Sequence, residues 1–180
     1  MIHIQKYKEN SRPDWHWFDD QFVISGSLMS GALLNTWLLT GNQDYKDIAI
    51  ESFEFLSTRI LKNNRIETYP KSDEVSYKYD NGIAEELPID IAFNVVASSK
   101  FYLICKDKFY YKQMDMAYNW FLGNNRLNQM LYNPLTGSCF GGLAEDSIDQ
   151  QLSAESTLSY TLARMVVEKY NFKSENHIIT

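Results

Sequence analysis

Apolar side chains recur along most of this chain three or four residues apart, the period of an α-helix, and not with the alternation of a β-strand. Turn residues such as Thr40, Gly41 and Asn42 separate the periodic segments. Pro88 stands where the first turn of a helix accepts a proline. The pattern predicts an all-α chain whose helices cover residues 22–39, 45–61, 88–105, 110–122 and 154–170.

Two long segments interrupt this period. Residues 65–86 contain a proline, a glycine and alternating charges, which predicts a long loop of the kind that is functional or partly disordered. The stretch 120–157 leaves one helix, passes through a Gly- and Asn-rich loop and enters the next helix. Ser153 is a natural N-cap there, and Glu155 lies in the first turn. Such loops and helix starts are where helical enzymes tend to place their chemistry.

The predicted helices also repeat. A shift of 66 residues lays residues 45–56 on residues 111–122 without a gap, with tyrosine over tyrosine, lysine over lysine and Phe-Leu over Phe-Leu. Each unit is then a helical hairpin followed by a long loop. We therefore predict an array of α-hairpins whose loops and helix starts gather around a common mouth.

Length and charge limit the classes of protein and partner. The 180 residues suffice for one domain with its own core, and we assign 1–180 to a single domain with flexible ends at 1–14 and 171–180. The net charge of −6, without a basic block, argues against nucleic acid and anionic membrane partners. The chain also lacks a membrane-length apolar run and a signal-peptide pattern at its start. We expect a cytoplasmic protein without a membrane span.

Cysteine and histidine usage predicts neither a metal centre nor a thiol catalyst. Cys105 and Cys139 have no metal-type spacing, and Cys139 has no basic sequence neighbour that would lower its pKa. His3, His16 and His177 are scattered along the chain. A glycine-rich phosphate-binding fingerprint is also missing from the sequence, which argues against a nucleotide-sugar donor site within it. We expect no cofactor and no metal.

Carboxylates near predicted helix starts are the candidates for acid–base chemistry. Cleavage of a glycosidic bond takes two carboxyl groups, one as acid and the other as base or nucleophile. A mouth built from helix starts would bring such groups together, although the helix dipole and capping favour acidic residues there in any case. The catalytic candidates are Glu155, Asp19, Asp20 and Glu86, and Asp90, an alternative to Glu86, is a candidate for substrate binding.

Aromatic residues beside these carboxylates suit sugars, whose C–H faces stack on rings while their hydroxyl groups bond to acids and amides. We expect Trp15 in a cleft and Phe18 in the core. The alternative is that Trp17 and Phe18 staple the helix start to the core. Glycines 141 and 142 permit a close backbone approach that either admits a ligand or closes the loop. The remaining substrate-binding candidates are Trp17, His16, Asn124, Tyr132 and Gly142.

Five ordered segments carry a resemblance to a known family. They are WHWFDDQFVISGSLMSGALL, LPIDIA, WFLGNN, LYNPLTGSCFGGL and SAESTLSYTLA. Together they resemble the C-terminal toroid domain of bacterial group-1 glycosyltransferases, which is similar to the six-hairpin glycosidases. The resemblance covers residues 15–170 and implies an (α/α)6-toroid-like fold and a carbohydrate ligand. A complete toroid has six hairpins and this chain two and a half. The resemblance therefore implies that the chain is the last part of a larger toroid, which a glycosyltransferase domain or a second copy completes.

Several polar positions depart from the pattern of that family. Asp19 stands where the family has glutamate, and residues 24–26 replace its Tyr-Asp-Asn. Gly141 replaces the aspartate of its Asp-Gly-Leu motif, whereas the Ala-Glu-Ser-Thr motif around Glu155 is kept. Apolar and turn positions are retained while polar ones differ, which indicates a preserved fold with a changed site.

Three functions follow as hypotheses. The first is an accessory or glycan-binding toroid piece of a glycosyltransferase system. The second is a glycoside-processing enzyme that uses a pair of carboxylates. The third is a helical-repeat interaction scaffold, because an incomplete toroid leaves apolar helix faces for a partner or a second copy to cover.

Overall fold

The computed structural model describes residues 2–20, 22, 25–68 and 86–176. This part of the chain is mostly helical. The helices are α1 (Ile2–Asn10), α2 (Ser27–Thr40), α3 (Gln43–Ile60), α4 (Pro88–Cys105), α5 (Lys108–Phe121) and α6 (Ala154–Asn176). Four short strands pair as two hairpins, β1 (Leu61–Lys62) with β2 (Arg65–Ile66), and β3 (Phe140–Leu143) with β4 (Ile148–Leu152).

Helices α2, α4 and α6 form one row, which we call the inner row, with α4 in the middle. Near its start, α4 accepts a hydrogen bond at Asp90 from the backbone N–H of Ser25, just before α2. One to two turns further on, a Cβ on Gly31 would lie 3.9 Å from the Ala97 Cβ. On the other side of α4, the Tyr170 hydroxyl of α6 donates to the Ser99 carbonyl at 2.9 Å. The three helices therefore run side by side with their N-terminal ends at one end of the fold.

Helices α1, α3 and α5 form a second row, the outer row. Helix α1 contacts α3, and α3 is joined to α5 by the Tyr110 hydroxyl, which donates to Glu54 at 2.8 Å. Between the rows, the Phe53 and Phe101 rings stack with their centroids 4.3 Å apart. Apolar burial of this kind supplies the main driving force for packing the two layers.

Two hairpin turns have the same capping chemistry. Gly41 and Lys106 end α2 and α4 in the left-handed conformation, and Asn42 and Asp107 then cap α3 and α5 through their side chains. The two turns are 65 residues apart in sequence. Superposition of their caps therefore pairs Tyr45 with position 110, whereas the shift of 66 residues pairs Tyr45 with position 111. The helical hairpins are thus observed, while the repeat and the toroid stay predictions.

The predicted helices differ from the observed ones mainly at their ends. Helix α4 has the predicted bounds. Helix α2 begins later than predicted because Ser25 has a φ of 62°, which an α-helix does not accommodate. The pattern predicts a flexible segment over 1–14, where the structure has α1 with a buried Tyr7. Helix α6 continues past residue 170 to Asn176, and residues 177–180, including His177, lie outside the described part.

The prediction of an all-α chain is correct for the bulk of the fold but misses both β-hairpins. In the first, Asn63 and Asn64 have φ values of 51° and 60°, which suits a two-residue turn of the primed type. Its strands are only two residues long, too short to show a period in the sequence. Most of the predicted loop 65–86 lies outside the described residues.

By length and composition alone, α4 is long and apolar enough to cross a membrane, and it is the single such helix among the residues described. However, 56% of this helix is buried inside the fold, where it packs against α2, α5 and α6. The core helix of a globular protein passes the same test.

Candidate ligand site

A small cavity with polar and apolar walls lies where α2 and α4 begin, and we call it the Asp90 cavity. Its polar lining comes from Ser25, Ser27, Thr68, Asp90 and Asn94, and α3 contributes the apolar side chains Leu56 and Ile60. About 270 Å³ of space lies between these atoms, including the part open to solvent, and about 20 Å³ of it is open to the centre of a water molecule. The enclosed part therefore has room for water or for a ligand hydroxyl group, but not for a whole sugar ring.

Among the residues that the structure describes, three buried polar atoms in this lining lack a hydrogen-bond partner. They are Asp90 Oδ2, Asn94 Nδ2 and Thr68 Oγ1, on side chains that are only 7%, 2% and 7% exposed. Buried polar groups are nearly always paired in folded proteins, because an unpaired one carries its full desolvation cost. Three such atoms around one cavity indicate a site prepared for a polar ligand or for ordered water.

The fold holds Asp90 and Asn94 in place through the second polar atom of each side chain. Asp90 Oδ1 accepts the hydrogen bond from Ser25 N–H. Asn94 Oδ1 faces Gln113 Nε2 and the Ser98 hydroxyl, each at 3.3 Å. One atom of each side chain is therefore anchored while the other stays unpaired, so the site is pre-organised.

Burial raises the pKa of Asp90 from its ordinary value of 3.8 to about 6. Hydrogen bonds from Ser25 oppose this rise, and the carboxylate of Glu155 adds to it. Glu155 is exposed in the first turn of α6. Ser153 caps that helix by accepting from the Ser156 N–H at 3.0 Å, as predicted. The charges of Asp90 and Glu155 therefore interact, although Glu155 is not among the residues that line the cavity.

Glu86 is placed differently from the other acidic candidates. Its carboxylate is fully buried, accepts from the Trp120 indole at 2.7 Å and pairs with Arg126 at 3.0 Å. Arg126 also donates to the carbonyls of Leu143, Ala144 and Glu145. Burial raises the pKa of Glu86 to about 7, while Trp120 and Arg126 oppose the rise. Because these contacts occupy both oxygens and Glu86 does not line the cavity, its geometry fits a role in holding the 120–157 loop.

Asp19 and Asp20 lie in an exposed turn well before α2, not at its start. Their carboxylates face Lys6 at 4.0 Å and Arg12 at 3.9 Å, on exposed side chains. His16 lies nearby, with Nδ1 2.9 Å from Glu51 Oε1. None of these three candidates lines the Asp90 cavity.

Trp15 and Trp17 belong to the core, which corrects the expectation that Trp15 lines a cleft. Trp15 and Trp17 are both buried, and Phe18 is buried as predicted. The Trp15 indole donates to the Asp19 carbonyl at 2.7 Å, and its ring packs on Phe55. The apolar surface of an indole is large enough that core packing satisfies it without a ligand.

The three loop candidates have structural partners. Asn124 is exposed and faces the Asn64 carbonyl at 3.3 Å. Tyr132 stacks on Tyr160 with ring centroids 4.1 Å apart. A Cβ on Gly142 would lie 2.6 Å from the Glu86 carbonyl oxygen, so this glycine admits the backbone of the chain itself. For Gly142, this contact fits the interpretation that the glycine closes the loop and does not admit a ligand.

Asn94, Thr68 and Ser25 are site residues that the sequence interpretation did not single out. Asn94 follows Asp90 by four residues, so both lie on one face of a helix that is otherwise rich in apolar residues. This pair of polar residues on an apolar helix could have indicated the site from the sequence. Thr68 carried no such signal, because only the fold brings it to the cavity, and Ser25 was noted only among the positions that depart from the family pattern.

Within the described ranges, no three His, Cys, Asp or Glu side chains are grouped so as to hold a metal ion. Burial raises the pKa of Cys139 to about 12, which keeps its thiol protonated at neutral pH.

Comparison with known proteins does not indicate a family for this chain. No protein-family model matches the chain, and no curated protein matches it significantly.

Proposed function

We propose that this chain is a carbohydrate-binding, α/α-toroid-like module that serves as an accessory part of a glycosyltransferase system in the cytoplasm. Its ligand would lie at the common end of α2, α4 and α6 and insert a hydroxyl group into the Asp90 cavity. The resemblance of residues 15–170 to glycosyltransferase toroid domains supplies the class of ligand.

The main support for this proposal is the set of three unpaired polar atoms in the cavity. A carboxylate oxygen accepts, an amide nitrogen donates and a hydroxyl does both, so Asp90, Asn94 and Thr68 together match the mixed donor and acceptor character of a sugar hydroxyl. The small enclosed volume fits an inserted hydroxyl or hydroxymethyl group, with the ring remaining at the open side.

An accessory role fits the positions of the other acidic residues. Glu86 is held by Trp120 and Arg126, and Asp19 and Asp20 lie in an exposed turn away from the cavity lining. None of the four catalytic candidates expected from the sequence lines the cavity, and Glu155 alone acts on it through its charge on Asp90.

A glycoside-processing enzyme is the second candidate, and one observation favours it. Asp90, with a pKa near 6, lies close enough to Glu155 for their charges to interact. An acid with a raised pKa beside a second carboxyl group is the arrangement that glycosidic cleavage uses. In that case Asp90 is the acid and Glu155 the base or nucleophile.

Calorimetric titration with monosaccharides and screening on a glycan array test the binding proposal. We expect Asp90→Asn to weaken binding about tenfold to a hundredfold, because a hydrogen bond to a charged group contributes about 1.5–3 kcal/mol. Asp47→Asn is the matched control, since Asp47 is exposed on α3 and lies outside the cavity lining. The absence of any glycan binding by the wild-type chain, or equal binding by Asp90→Asn, contradicts the proposal.

Hydrolysis assays on the bound glycan separate the two candidates. Turnover by the wild-type chain that Glu155→Gln abolishes, with binding retained, identifies an enzyme. Binding without turnover identifies the accessory module.

A further inference from the structure

A chain of buried polar side chains crosses the core and ends at the Asp90 cavity. The Ser57 hydroxyl of α3 faces Gln113 Oε1 of α5 at 2.9 Å, and Gln113 Nε2 faces Asn94 Oδ1 of α4 at 3.3 Å. Ser57, Gln113 and Asn94 are 1%, 0% and 2% exposed. Of the three, Asn94 lines the cavity, so the chain connects the cavity to two residues of the outer row that lie one and two hydrogen bonds away from it.

The direction of this chain decides which end of the Asn94 amide faces the cavity. A carboxamide has a donor end and an acceptor end. Because Gln113 donates, Asn94 turns its oxygen toward Gln113 and Ser98, and Nδ2, which has no partner in the described part of the chain, faces the cavity. A Gln113 amide turned by 180° would present its oxygen to Asn94 Nδ2 and leave Asn94 Oδ1 in the cavity. The orientation of Gln113 therefore sets whether Asn94 donates to a ligand or accepts from it.

The Ser57 hydroxyl controls the orientation of Gln113. It lies 2.7 Å from the Phe53 carbonyl and 2.9 Å from Gln113 Oε1, and its single hydrogen can go to only one of these acceptors at a time. The Phe53 carbonyl already accepts the Ser57 backbone N–H in the hydrogen-bond ladder of α3. The hydroxyl hydrogen is therefore free to go to Gln113, which is the direction observed.

The Asp90 carboxylate favours the same direction. Asp90 and Asn94 lie one turn apart on α4, and both line the cavity. With its N–H groups facing the cavity, Asn94 complements the unpaired oxygen of Asp90, whereas the opposite orientation would place two acceptor oxygens at one small space. The negative charge of Glu155 acts on Asp90 as well, and the low dielectric of the interior strengthens these effects.

We propose that Gln113 is a positioning residue that makes the Asp90 cavity favour a hydroxyl group over an ammonium group. Gln113 is oriented by Ser57 and holds Asn94 as a hydrogen-bond donor beside the acceptor Asp90. A ligand hydroxyl can donate to Asp90 Oδ2 and accept from Asn94 Nδ2 at once, whereas an ammonium group only donates. Release of Asn94 lets its oxygen turn to the cavity, where two acceptors suit an ammonium group. This selectivity rests on the proposed function for its ligand, while the orientation of Asn94 does not.

Neutron diffraction from deuterium-exchanged crystals of the ligand-free chain tests the orientation directly, because it locates the hydroxyl and amide deuterium atoms. We expect the Ser57 deuterium to lie on the side of Gln113 and the deuterated Nδ2 of Asn94 to face the cavity. In Gln113→Met, we expect Asn94 to occupy both orientations. A Ser57 deuterium directed at the Phe53 carbonyl with Asn94 Oδ1 in the cavity, or a single unchanged Asn94 orientation in Gln113→Met, overturns the proposal whether or not sugars bind.

Calorimetric titration with glucose, galactose and mannose, and with their 2-amino and 6-amino derivatives, measures the selectivity. We expect Gln113→Met and Ser57→Ala to shift the ratio of the dissociation constants toward the amino derivative by about three- to tenfold, the contribution of one ordinary hydrogen bond. Neither substitution changes a side chain that lines the cavity. Ser52→Ala is the matched control, since Ser52 is also a buried serine of α3 and bonds the Ser30 hydroxyl at 2.8 Å. It should keep the wild-type ratio.

The titrations separate failure of this inference from failure of the proposed function. Binding of a parent sugar with the same ratio in wild type, Gln113→Met and Ser57→Ala overturns the role of Gln113 and leaves the binding site in place. A shift of the ratio in Ser52→Ala as large as that in Ser57→Ala also overturns it, because any loss of a buried serine hydroxyl would then suffice. Absence of sugar binding by the wild-type chain overturns the selectivity together with the proposed function.

Discussion

The Ser25 backbone N–H donates a hydrogen bond to one oxygen of the Asp90 carboxylate, while the other oxygen stays buried and unpaired in the cavity. The bond ties the entry of α2 to the first turn of α4 and stabilises the left-handed conformation of Ser25, whose φ is 62°. The same side chain therefore links two helices and lines the candidate site.

This arrangement predicts a specific pH dependence of stability. Because the folded-state pKa of Asp90 is raised from 3.8 to about 6, the folded chain binds more protons than the unfolded chain between these values, and stability falls as the pH rises through them. Each pKa unit corresponds to about 1.4 kcal/mol, so the loss attributable to Asp90 is about 3 kcal/mol. Urea denaturation of wild type and Asp90→Asn across this window measures it. We expect wild type to lose about 3 kcal/mol relative to Asp90→Asn as the pH rises through this window, whereas parallel curves contradict the assignment.

The buried Glu86–Arg126 pair predicts a second stability effect. Removal of one partner leaves the other charge unpaired, so we expect Arg126→Ala to lower the free energy of unfolding by about 3–5 kcal/mol. The loss should shrink at acidic pH, where Glu86 takes up a proton. Addition of Glu86→Gln to Arg126→Ala should remove this pH dependence, and denaturant titrations at several pH values compare the two variants. An equal loss at all pH values contradicts the interpretation.

The fold was more predictable from the sequence than the site. Helix α4 was predicted with its observed bounds because Pro88 marks its start and its apolar period continues to Cys105. Helix α1 was missed because its apolar side chains are few and its core contact at Tyr7 depends on α3, far along the chain.

The positions of several candidate site residues depend on contacts that a local sequence pattern does not reveal. Trp15 and Trp17 beside Asp19 looked like a sugar cleft, but the burial of large rings in the core decides their position. Glu86 looked like a catalytic acid, but its partners Trp120 and Arg126 lie 34 and 40 residues away in sequence. No local pattern reveals such partners, and the unpaired state of Asn94 likewise becomes visible only in three dimensions.

Gly142 provides a test of how the 120–157 loop closes on Glu86. A side chain there meets the Glu86 carbonyl at 2.6 Å and a φ of 154°, so we expect Gly142→Ala to destabilise the fold by about 3 kcal/mol or more. Gly137→Ala is the control, since Gly137 also has a positive φ, 75°, but open space around it. We expect it to cost about 1 kcal/mol. Thermal unfolding compares them, and equal losses would show that the contact with Glu86 has no effect.

The most direct test of the proposed binding site is an NMR titration of the side-chain amide of Asn94 with monosaccharides and the glycans that bind on an array. Its Nδ2 is unpaired, whereas Asn125 Nδ2 already donates to the carbonyls of Trp120 and Gln129 and serves as the internal control. We predict a saturable shift of the Asn94 amide resonance that is absent in Asp90→Asn, with the Asn125 resonance unchanged. An Asn94 resonance that stays in place while a glycan binds would contradict the assignment of the Asp90 cavity as the ligand site.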